Sequence, residues 1–151
     1  PHAHKCALIA FIIAYELDLN IDDFNTLIYA AFFHDIGRRY YDNGKKHGVI
    51  SSEKVASFIC EKDIVHMEQL KEALARHDDH AEPNDDNNAF LIWLRDIDSL
   101  DYLRLGMGEY TTQYLKTNVA KALIKCVTEL NILMYLDNHQ FIYKLVHEVK
   151  I

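Results

Sequence analysis

Residues 27–37 of the chain read LIYAAFFHDIG. Apolar side chains recur there at helical spacing until His34 and Asp35 follow two phenylalanines. Burying a histidine and a carboxylate among apolar side chains is costly unless a partner satisfies them. Because adjacent side chains of a helix diverge by about 100°, one ion reaches both only at the helix end, where Gly37 lets the chain turn. The stretch therefore predicts an apolar helix that ends in a metal site. The alternative is a histidine whose positive charge interacts favourably with the dipole at the helix C-terminus, beside a solvated aspartate.

Helical periodicity also dominates the rest of the chain and predicts an all-α fold. Glycine and proline are scarce, at five and two residues, and few windows alternate with the period of a strand. Residues 3–18 are apolar nearly all round, so we expect this first helix to be central. The other expected helices run from near Asp22, as N-cap, to Ile36, over about 49–61, from after Asp63 to near His77, from Ala89 to about Leu105, and in two or three pieces over 109–150. With about seven helices, no internal repeat and no linker, residues 1–151 should form a single domain.

The composition is that of a soluble globular protein, with half of the residues apolar and 26% charged. The formal net charge of −7 argues against general binding to duplex nucleic acid, because that function needs a basic surface. A small anionic substrate is still compatible with this charge, since bound metal ions reverse the local field. The longest apolar stretch, Cys6 to Tyr15, is too short to span a membrane and lacks a signal-peptide cleavage pattern.

The three cysteines, Cys6, Cys60 and Cys126, are an odd number without a metal-ligand spacing. We interpret them as reduced, buried thiols, which predicts a cytoplasmic protein. The sequence predicts no particular oligomeric state. Aromatic residues at helical spacing are expected in the core rather than in a stacking surface, namely Phe11, Tyr15, Phe32, Phe33 and Tyr135.

Histidine is the unusual residue type, with nine in the chain. Three of them lie at expected helix ends or in a turn, where a polar side chain without a partner would be unfavourable: His2 in HAHKCALIA, His47 in KKHG and His77 in ALARHDDH. A carboxylate in the same situation is Asp98, within the apolar segment LIWLRDIDSLDYLRLG. Histidine nitrogens combined with carboxylate oxygens suit divalent ions such as Mn, Fe, Co, Ni or Zn, and a bridging carboxylate suits a pair of them.

These elements together resemble the HD-domain superfamily of metal-dependent phosphohydrolases. That family typically opens with H-x-x-[RK]-[VC]-A, and HAHKCA is similar to it, with His2 as the ligand and His4 as its competitor. AAFFHDIGR matches the element that names the family. DIDSLD resembles D-A-D-x-L-D, which places the ligand at Asp98 rather than at Asp96 or Asp101.

Two further histidines match a branch of this family that binds two metal ions. KKHGVISSEKVA resembles its H-G-x-x-[SA]-A element and carries His47, and ALARHDDH resembles the helix end after it and carries His77. YLRLG, at residues 102–106, is similar to the segment after the aspartate in that branch. The resemblance covers roughly residues 2–118 and rests on several elements in the family's order.

The resemblance implies a helical bundle around a buried centre of two divalent ions, drawn from Mn, Fe, Ni, Co, Mg and Zn. The implied ligands are His2, His34, Asp35, His47, His77 and Asp98. Asp35 is the natural bridge, and a hydroxide formed from water shared by the ions would attack phosphorus. Arg38 would hold the phosphate, with Lys46 and Arg104 as further candidates. The alternative for Arg38 is an exposed charge after a helix end.

Two more histidines need an interpretation. His80 is either an extra ligand or proton relay, or a solvated loop histidine. His66 is expected to lie about 16 Å from His77 along one helix, which is too far for the two to share an ion. The remaining histidines, His139 and His147, fall outside the family pattern and are expected at the surface.

Three functional classes are compatible with these residues. The leading one is a phosphohydrolase, either a phosphomonoesterase or a phosphodiesterase, acting on a nucleotide or another small phosphate ester. The second is a di-iron oxygenase on the same helical scaffold. The third is a metal-binding regulatory module whose site has decayed, and the intact ligand positions count against it.

Overall fold

The computed structural model of the chain describes residues 2–38, 46–59, 64–79, 87–106 and 112–136. These residues contain six α-helices, one 3₁₀ helix and no strand, so the expected all-α class is confirmed for this part of the chain. The α-helices are α1 (His2–Glu16), α2 (Ile21–Phe33), α3 (His47–Phe58), α4 (Met67–Arg76), α5 (Ala89–Asp101) and α6 (Asn118–Leu136), and the 3₁₀ helix Tyr102–Leu105 continues α5. The further helix expected before residue 150 lies outside the described residues.

Helix α2 differs from expectation at both ends. Its N-cap is Asn20 rather than Asp22, because the Asn20 side chain accepts hydrogen bonds from the backbone N–H groups of Asp22 and Asp23. Those two aspartates occupy the first turn, where their negative charges interact favourably with the helix dipole. The helix ends at Phe33, earlier than expected, and His34 is its C-cap residue. The His–Asp doublet therefore lies on the turn that comes after the helix.

The first four helices form two pairs, because α1 packs mainly against α2 and α3 mainly against α4. Helix α5 joins the pairs, since it contacts α1, α2 and α4, and α6 packs against α5 and the 3₁₀ helix. An apolar stripe on α5 is fully buried and consists of Leu91, Leu94, Ile97 and Leu100. The central helix is therefore α5, and the expectation that the first helix is central is wrong.

Three of the aromatic residues expected in the core are exposed. Phe11 and Tyr15 lie on the outer face of α1 and are 52% and 70% exposed, and Phe32 on α2 is also exposed. Phe33 is partly buried against the core, and the side chain of Tyr135 lies outside the described part of the chain. The buried face of α1 consists of smaller side chains, namely Cys6, Ile9, Ala10, Ile13 and Ala14.

Two glycines allow helix ends to approach closely. A Cβ atom on Gly37 would lie 2.5 Å from the carbonyl oxygen of His47 and from the backbone nitrogen of Ser51. One on Gly48 would lie 2.5 Å from the carbonyl oxygen of Leu74. Any side chain at these positions would push the backbones apart. Because both positions are glycine, the start of α3 packs against the ends of both α2 and α4.

The cysteines differ in their environments. Cys6 is buried, as expected, whereas Cys126 is exposed, and Cys60 lies outside the described residues. Helix α6 turns Leu123 and Val127 to the core, which leaves Cys126 on its outer side. Among the helices that the structure describes, none combines the length and the apolar character needed to cross a membrane.

Candidate metal centre

Four histidines from the ends of four helices meet at one place. His2 and His47 are the first residues of α1 and α3, and His34 and His77 are the C-cap residues of α2 and α4. The Nε2 atoms of His2 and His34 lie 3.0 Å apart. Those of His47 and His77 lie 3.1 Å apart. Each helix pair thus contributes one histidine from its beginning and one from its end.

Backbone carbonyl groups orient the two buried histidines. Nδ1 of His34 lies 2.8 Å from the carbonyl oxygen of Ala31, and Nδ1 of His77 lies 2.7 Å from that of Leu74. Because a carbonyl oxygen only accepts hydrogen bonds, Nδ1 carries the proton in both rings. In each neutral ring Nε2 then presents a lone pair to the site. Metal-binding histidines are commonly held in this way.

Carboxylates orient the other two histidines. Nδ1 of His2 lies 2.7 Å from Oδ2 of Asp101. Nδ1 of His47 lies 3.1 Å from Oδ2 of Asp78. An ionised carboxylate also only accepts, so Nδ1 of His2 carries a proton, and the carboxylate of Asp78 favours a proton on Nδ1 of His47. Each of the four histidines therefore has an oxygen beside Nδ1, and Nε2 is the nitrogen that faces the site.

Asp98, on α5, faces the first histidine pair. Its Oδ1 atom lies 3.4 Å from Nε2 of His2 and 3.6 Å from Nε2 of His34. These three residues bring two imidazole nitrogens and one carboxylate oxygen together from three helices. We call this group, His2, His34 and Asp98, the first half of the centre, and the pair His47 and His77 the second half.

Asp35 lies between the two halves, and its Oδ1 atom alone reaches both, since it is also 3.8 Å from Nε2 of His34. Its Oδ2 atom lies 3.5 Å from Nε2 of His2. Its Oδ1 atom lies 2.9 Å from Nε2 of His47 and 3.7 Å from Nε2 of His77. One carboxylate is therefore within reach of ligands from both helix pairs, which is the position of a bridge.

The separations within the two histidine pairs suit divalent ions as well as hydrogen bonds. Two ligand atoms that lie about 2.1 Å from one ion at right angles are about 3.0 Å apart, which is close to the spacing of both Nε2 pairs. Without an ion, a proton on one Nε2 atom of each pair makes the same contact a hydrogen bond. Oδ1 of Asp35 is buried without a hydrogen-bond partner, although Nε2 of His47 is 2.9 Å away. Two groups of described residues could hold a metal ion, namely His2, Cys6, His34 and Asp98, and His34, Asp35 and His77.

The carboxylates of the centre stay ionised despite their burial. Burial by itself raises the pKa of Asp35, but the neighbouring His77 and His34 hold that pKa well below its usual range. Burial also opposes ionisation of Asp98, and its contact with His34 lowers its pKa overall. Burial lowers the pKa of His47, and the nearby His77 lowers it further. Burial opposes protonation of His34, but its contact with Asp98 raises its pKa overall, so a metal ion bound there would compete with a proton.

Three residues at the centre are missed by the sequence interpretation, and Cys6 is the first. Its Sγ atom lies 3.6 Å from Nδ1 and 3.8 Å from Nε2 of His2. Burial and the carboxylates of Asp101 and Asp98 strongly raise the pKa of the thiol, so it is neutral. The signal in the sequence is its spacing of four residues from His2, which places both on one face of α1.

Asp101 and Asp78 are the other two, and each had a signal in the sequence. Asp101 comes three residues after Asp98, so both lie on one side of α5. Asp78 comes directly after His77, just as Asp35 comes after its own histidine. The family pattern assigns the ligand to Asp98 and gives Asp101 no role, and Asp78 is one of several aspartates in an acidic stretch. Neither signal indicates which carboxylate contacts an Nδ1 atom.

The other histidines singled out in the sequence do not join the centre. His4 is exposed, and its ring contacts Phe32 edge to face. His66 precedes α4 and pairs with Asp23, with 3.0 Å between Nε2 and Oδ1. Between the two candidates in HAHKCA, the structure thus brings His2 to the site. The histidines at positions 80, 139 and 147 lie outside the described residues.

Asp96 has a structural role instead. It is fully buried and accepts hydrogen bonds from the backbone N–H groups of Lys116 and Thr117 and from the Thr117 hydroxyl. These bonds fix the chain just before α6 to the middle of α5. Asp96 is therefore committed to the fold, even though it lies only two residues from Asp98.

Of the three cations expected near a phosphate, Arg38 is the one beside the centre. Its Nη1 atom lies 3.2 Å from Oδ2 of Asp35, and its side chain is 55% exposed. Lys46 forms an ion pair at the start of α3. Arg104 donates a hydrogen bond of 2.7 Å to Oδ2 of Asp101. Arg38 therefore combines contact with the centre and access to solvent.

Known proteins give no independent assignment of this centre. No protein-family model, no curated protein and no solved structure matches the chain. The function must therefore be inferred from the geometry and chemistry of the residues themselves.

Proposed function

We propose that this protein is a metal-dependent phosphohydrolase of the HD-domain type, a phosphomonoesterase or phosphodiesterase acting on a nucleotide or another small phosphate ester. The observation that carries the proposal is the approach of four histidine Nε2 atoms to Asp35, whose Oδ1 lies near one histidine of the first helix pair and both of the second, and whose Oδ2 lies near His2. Two divalent ions bridged by a carboxylate need such a set of ligands. The order of the HD-like elements along the chain supports the same interpretation.

In this proposal each half of the centre would hold one ion, and Asp35 would be within reach of both. Bound there, the ions would supply a hydroxide nucleophile near neutral pH and neutralise the phosphoryl oxygens. The protein keeps its ligand atoms in place beforehand, because every Nδ1 atom of the four histidines has an oxygen partner. The Nε2 atoms already face the site, so metal binding would need little movement of the rings.

Arg38 is the group best placed to bind the phosphate of the substrate. Asp35 holds one edge of its guanidinium group, while more than half of the side chain is exposed. Arginine has five N–H donors in a planar fork, so donors beyond the contact with Asp35 suit the oxygens of a phosphate. This arrangement favours a phosphate ester as substrate over an uncharged one.

The test is metal analysis and then a screen for phosphate release. After dialysis against Mn²⁺ or Ni²⁺, elemental analysis should show two ions per chain, and a panel of phosphomonoesters and phosphodiesters should include a substrate that the loaded protein cleaves. Asp35→Asn should lose both metal and activity. His4→Gln is the matched control, because His4 is an exposed histidine on the same helix as His2 and should keep both.

The rival functions give different results in the same experiment. Oxygen consumption by the iron-loaded protein without phosphate release would indicate a di-iron oxygenase. Two bound ions with neither activity would indicate a regulatory module. A wild-type protein that binds no divalent ion would contradict the metal centre altogether.

A further inference from the structure

The two halves of the centre each contain one histidine that a carboxylate orients. The other histidine in each half is held by the carbonyl group of its own helix, three residues earlier. That carbonyl bond is available wherever a histidine ends a helix in this conformation. The carboxylates, Asp101 and Asp78, come from elsewhere in the fold and are therefore specific additions.

Asp101 is buried and serves two donors at once. Its side chain is 1% exposed, and Oδ2 accepts hydrogen bonds of 2.7 Å from both Nδ1 of His2 and Nε of Arg104. Its Oδ1 atom is buried without a hydrogen-bond partner. Burying such a carboxylate at the end of α5 is costly, so its contact with His2 calls for a functional explanation.

Asp78 has the matching position in the second half. Its Oδ2 atom lies 3.1 Å from Nδ1 of His47 and accepts a hydrogen bond of 3.2 Å from the backbone nitrogen of Gly48. Its other oxygen is also buried without a partner. Asp78 therefore fixes both the first turn of α3 and the ring of the histidine that begins it.

A carboxylate on Nδ1 does two things for the Nε2 atom of the same ring. It keeps the proton on Nδ1, so that Nε2 has its lone pair, and it increases the electron density that Nε2 gives to a metal ion. We propose that Asp101 and Asp78 are positioning residues that set the metal affinity of the first and second half separately. This inference rests on the proposed metal centre and adds which residue controls each ion.

The two controls are separate because the carboxylates share no histidine. Asp101 lies at the end of α5 and contacts His2, whereas Asp78 comes after α4 and contacts His47. Asp35 is the link between the halves. A change at either outer carboxylate should therefore weaken one ion and leave the other bound.

The experiment measures metal affinity, not turnover. Wild type, Asp101→Asn and Asp78→Asn are titrated with Mn²⁺ by calorimetry, and crystals of each metal-loaded protein are examined by anomalous scattering. An amide keeps the shape but removes the charge, and loss of such a partner costs about 10- to 100-fold in metal affinity. We expect Asp101→Asn to lose occupancy in the first half only and Asp78→Asn in the second half only.

Matched variants separate this effect from general damage. Asp79→Asn changes the next residue, whose carboxylate pairs with Lys46, and should leave both affinities unchanged. Arg104→Lys retains a cation beside Asp101 and should also keep the first ion. If Arg104→Lys weakened the first ion as much as Asp101→Asn, the effect would not pass through His2 and the proposal would be overturned.

Nitrogen-15 NMR of the imidazole rings in the metal-free protein gives a second measurement. Wild type should show the Nδ1–H tautomer for His2 and His47, and each asparagine variant should lose it at one ring alone. Asp78 is partly exposed, so Asp78→Asn tests the proposal even if the more buried Asp101→Asn does not fold.

The outcomes distinguish this proposal from the one on which it rests. A wild type without bound ions contradicts the metal centre itself. A wild type that binds two ions, with variants that keep both affinities or lose both ions equally, leaves the metal centre standing and overturns the separate control by Asp101 and Asp78.

Discussion

The two helix pairs are built alike but use one residue type differently. Each pair begins with a histidine and ends in a His–Asp doublet, His34–Asp35 after α2 and His77–Asp78 after α4. Asp35 lies on the Nε2 side of the histidines, whereas Asp78 lies beside Nδ1 of His47. In the proposed centre the first doublet would offer a ligand and the second would support one. The role of a carboxylate in this centre depends on which imidazole nitrogen it meets, not on its neighbour in the sequence.

The largest effect is expected for Asp35→Asn, and Asp78→Asn, the same change in the second doublet, is the variant to compare it with. Asp35→Asn removes charge and an anionic oxygen from the point shared by both ions, so kcat/KM for phosphate release should fall by several orders of magnitude and both ions should be lost. Asp78→Asn should reduce metal affinity by about 10- to 100-fold at one ion. Equal losses in the two variants, measured by elemental analysis and kinetics, would show that the helix pairs do not differ as described.

Metal removal should lower the stability of the wild type. The Nε2 atoms of each pair lie 3.0 and 3.1 Å apart, a spacing that the folded state provides for an ion and the unfolded chain does not. At a concentration of 100 times Kd, one ion stabilises the folded state by about 2.7 kcal/mol, which raises the Tm by several degrees. Calorimetry with a chelator and after return of Mn²⁺ measures the shift. An Asp35→Asn variant whose Tm responds to Mn²⁺ like that of wild type would contradict this account.

The two helix-end glycines should tolerate no side chain. Gly37→Ala and Gly48→Ala place a Cβ atom 2.5 Å from backbone atoms, and such overpacking costs about 1–3 kcal/mol in the free energy of unfolding. Both changes should also reduce metal content, because they separate the helix ends that hold the ligands. Denaturant unfolding and elemental analysis measure the two effects.

Gly106→Ala is the control for those variants. Gly106 has a φ of 74° and open space around its Cβ position, so alanine strains the backbone there by about 1–2 kcal/mol without meeting a neighbour. Its metal content should match that of wild type. A Gly48→Ala protein that also keeps its full metal content would show that close approach of α3 and α4 is not needed for the second half.

The sequence predicts the helices and the inner residues of the centre because both leave local signals. Helical spacing marks the elements, and a polar residue that interrupts an apolar run, such as His34 or Asp98, marks the site. The supporting role of Asp101 leaves no such signal, because it depends on a contact between α5 and the start of α1. The role of Asp78 cannot be predicted for the same reason, because its sequence context is typical of an acidic loop.

The placement of α1 shows why the core is harder to predict than the helices. Its apolar residues cover every side of the helix, so the sequence does not indicate which face is buried. The structure buries the side with Ile9 and Ile13 and leaves Phe11 and Tyr15 exposed. That face is buried because α2 and α5 pack against α1, and neither contact can be inferred from the residues of α1 themselves.

The smallest effect is expected for a substitution of His4, and this variant tests which histidine of α1 faces the centre. His4 is exposed and contacts only the edge of Phe32 among the described rings, so His4→Gln should change the free energy of unfolding by less than about 0.5 kcal/mol. It should leave both ions bound. His2→Gln, two residues earlier on α1, removes a nitrogen ligand and should weaken the first ion, because the glutamine amide is a poorer donor than imidazole. Titration of both variants with Mn²⁺ measures the difference. Loss of an ion in His4→Gln but not in His2→Gln would mean that α1 presents the other histidine, and the likeness between the two helix pairs would then fail at its first residue.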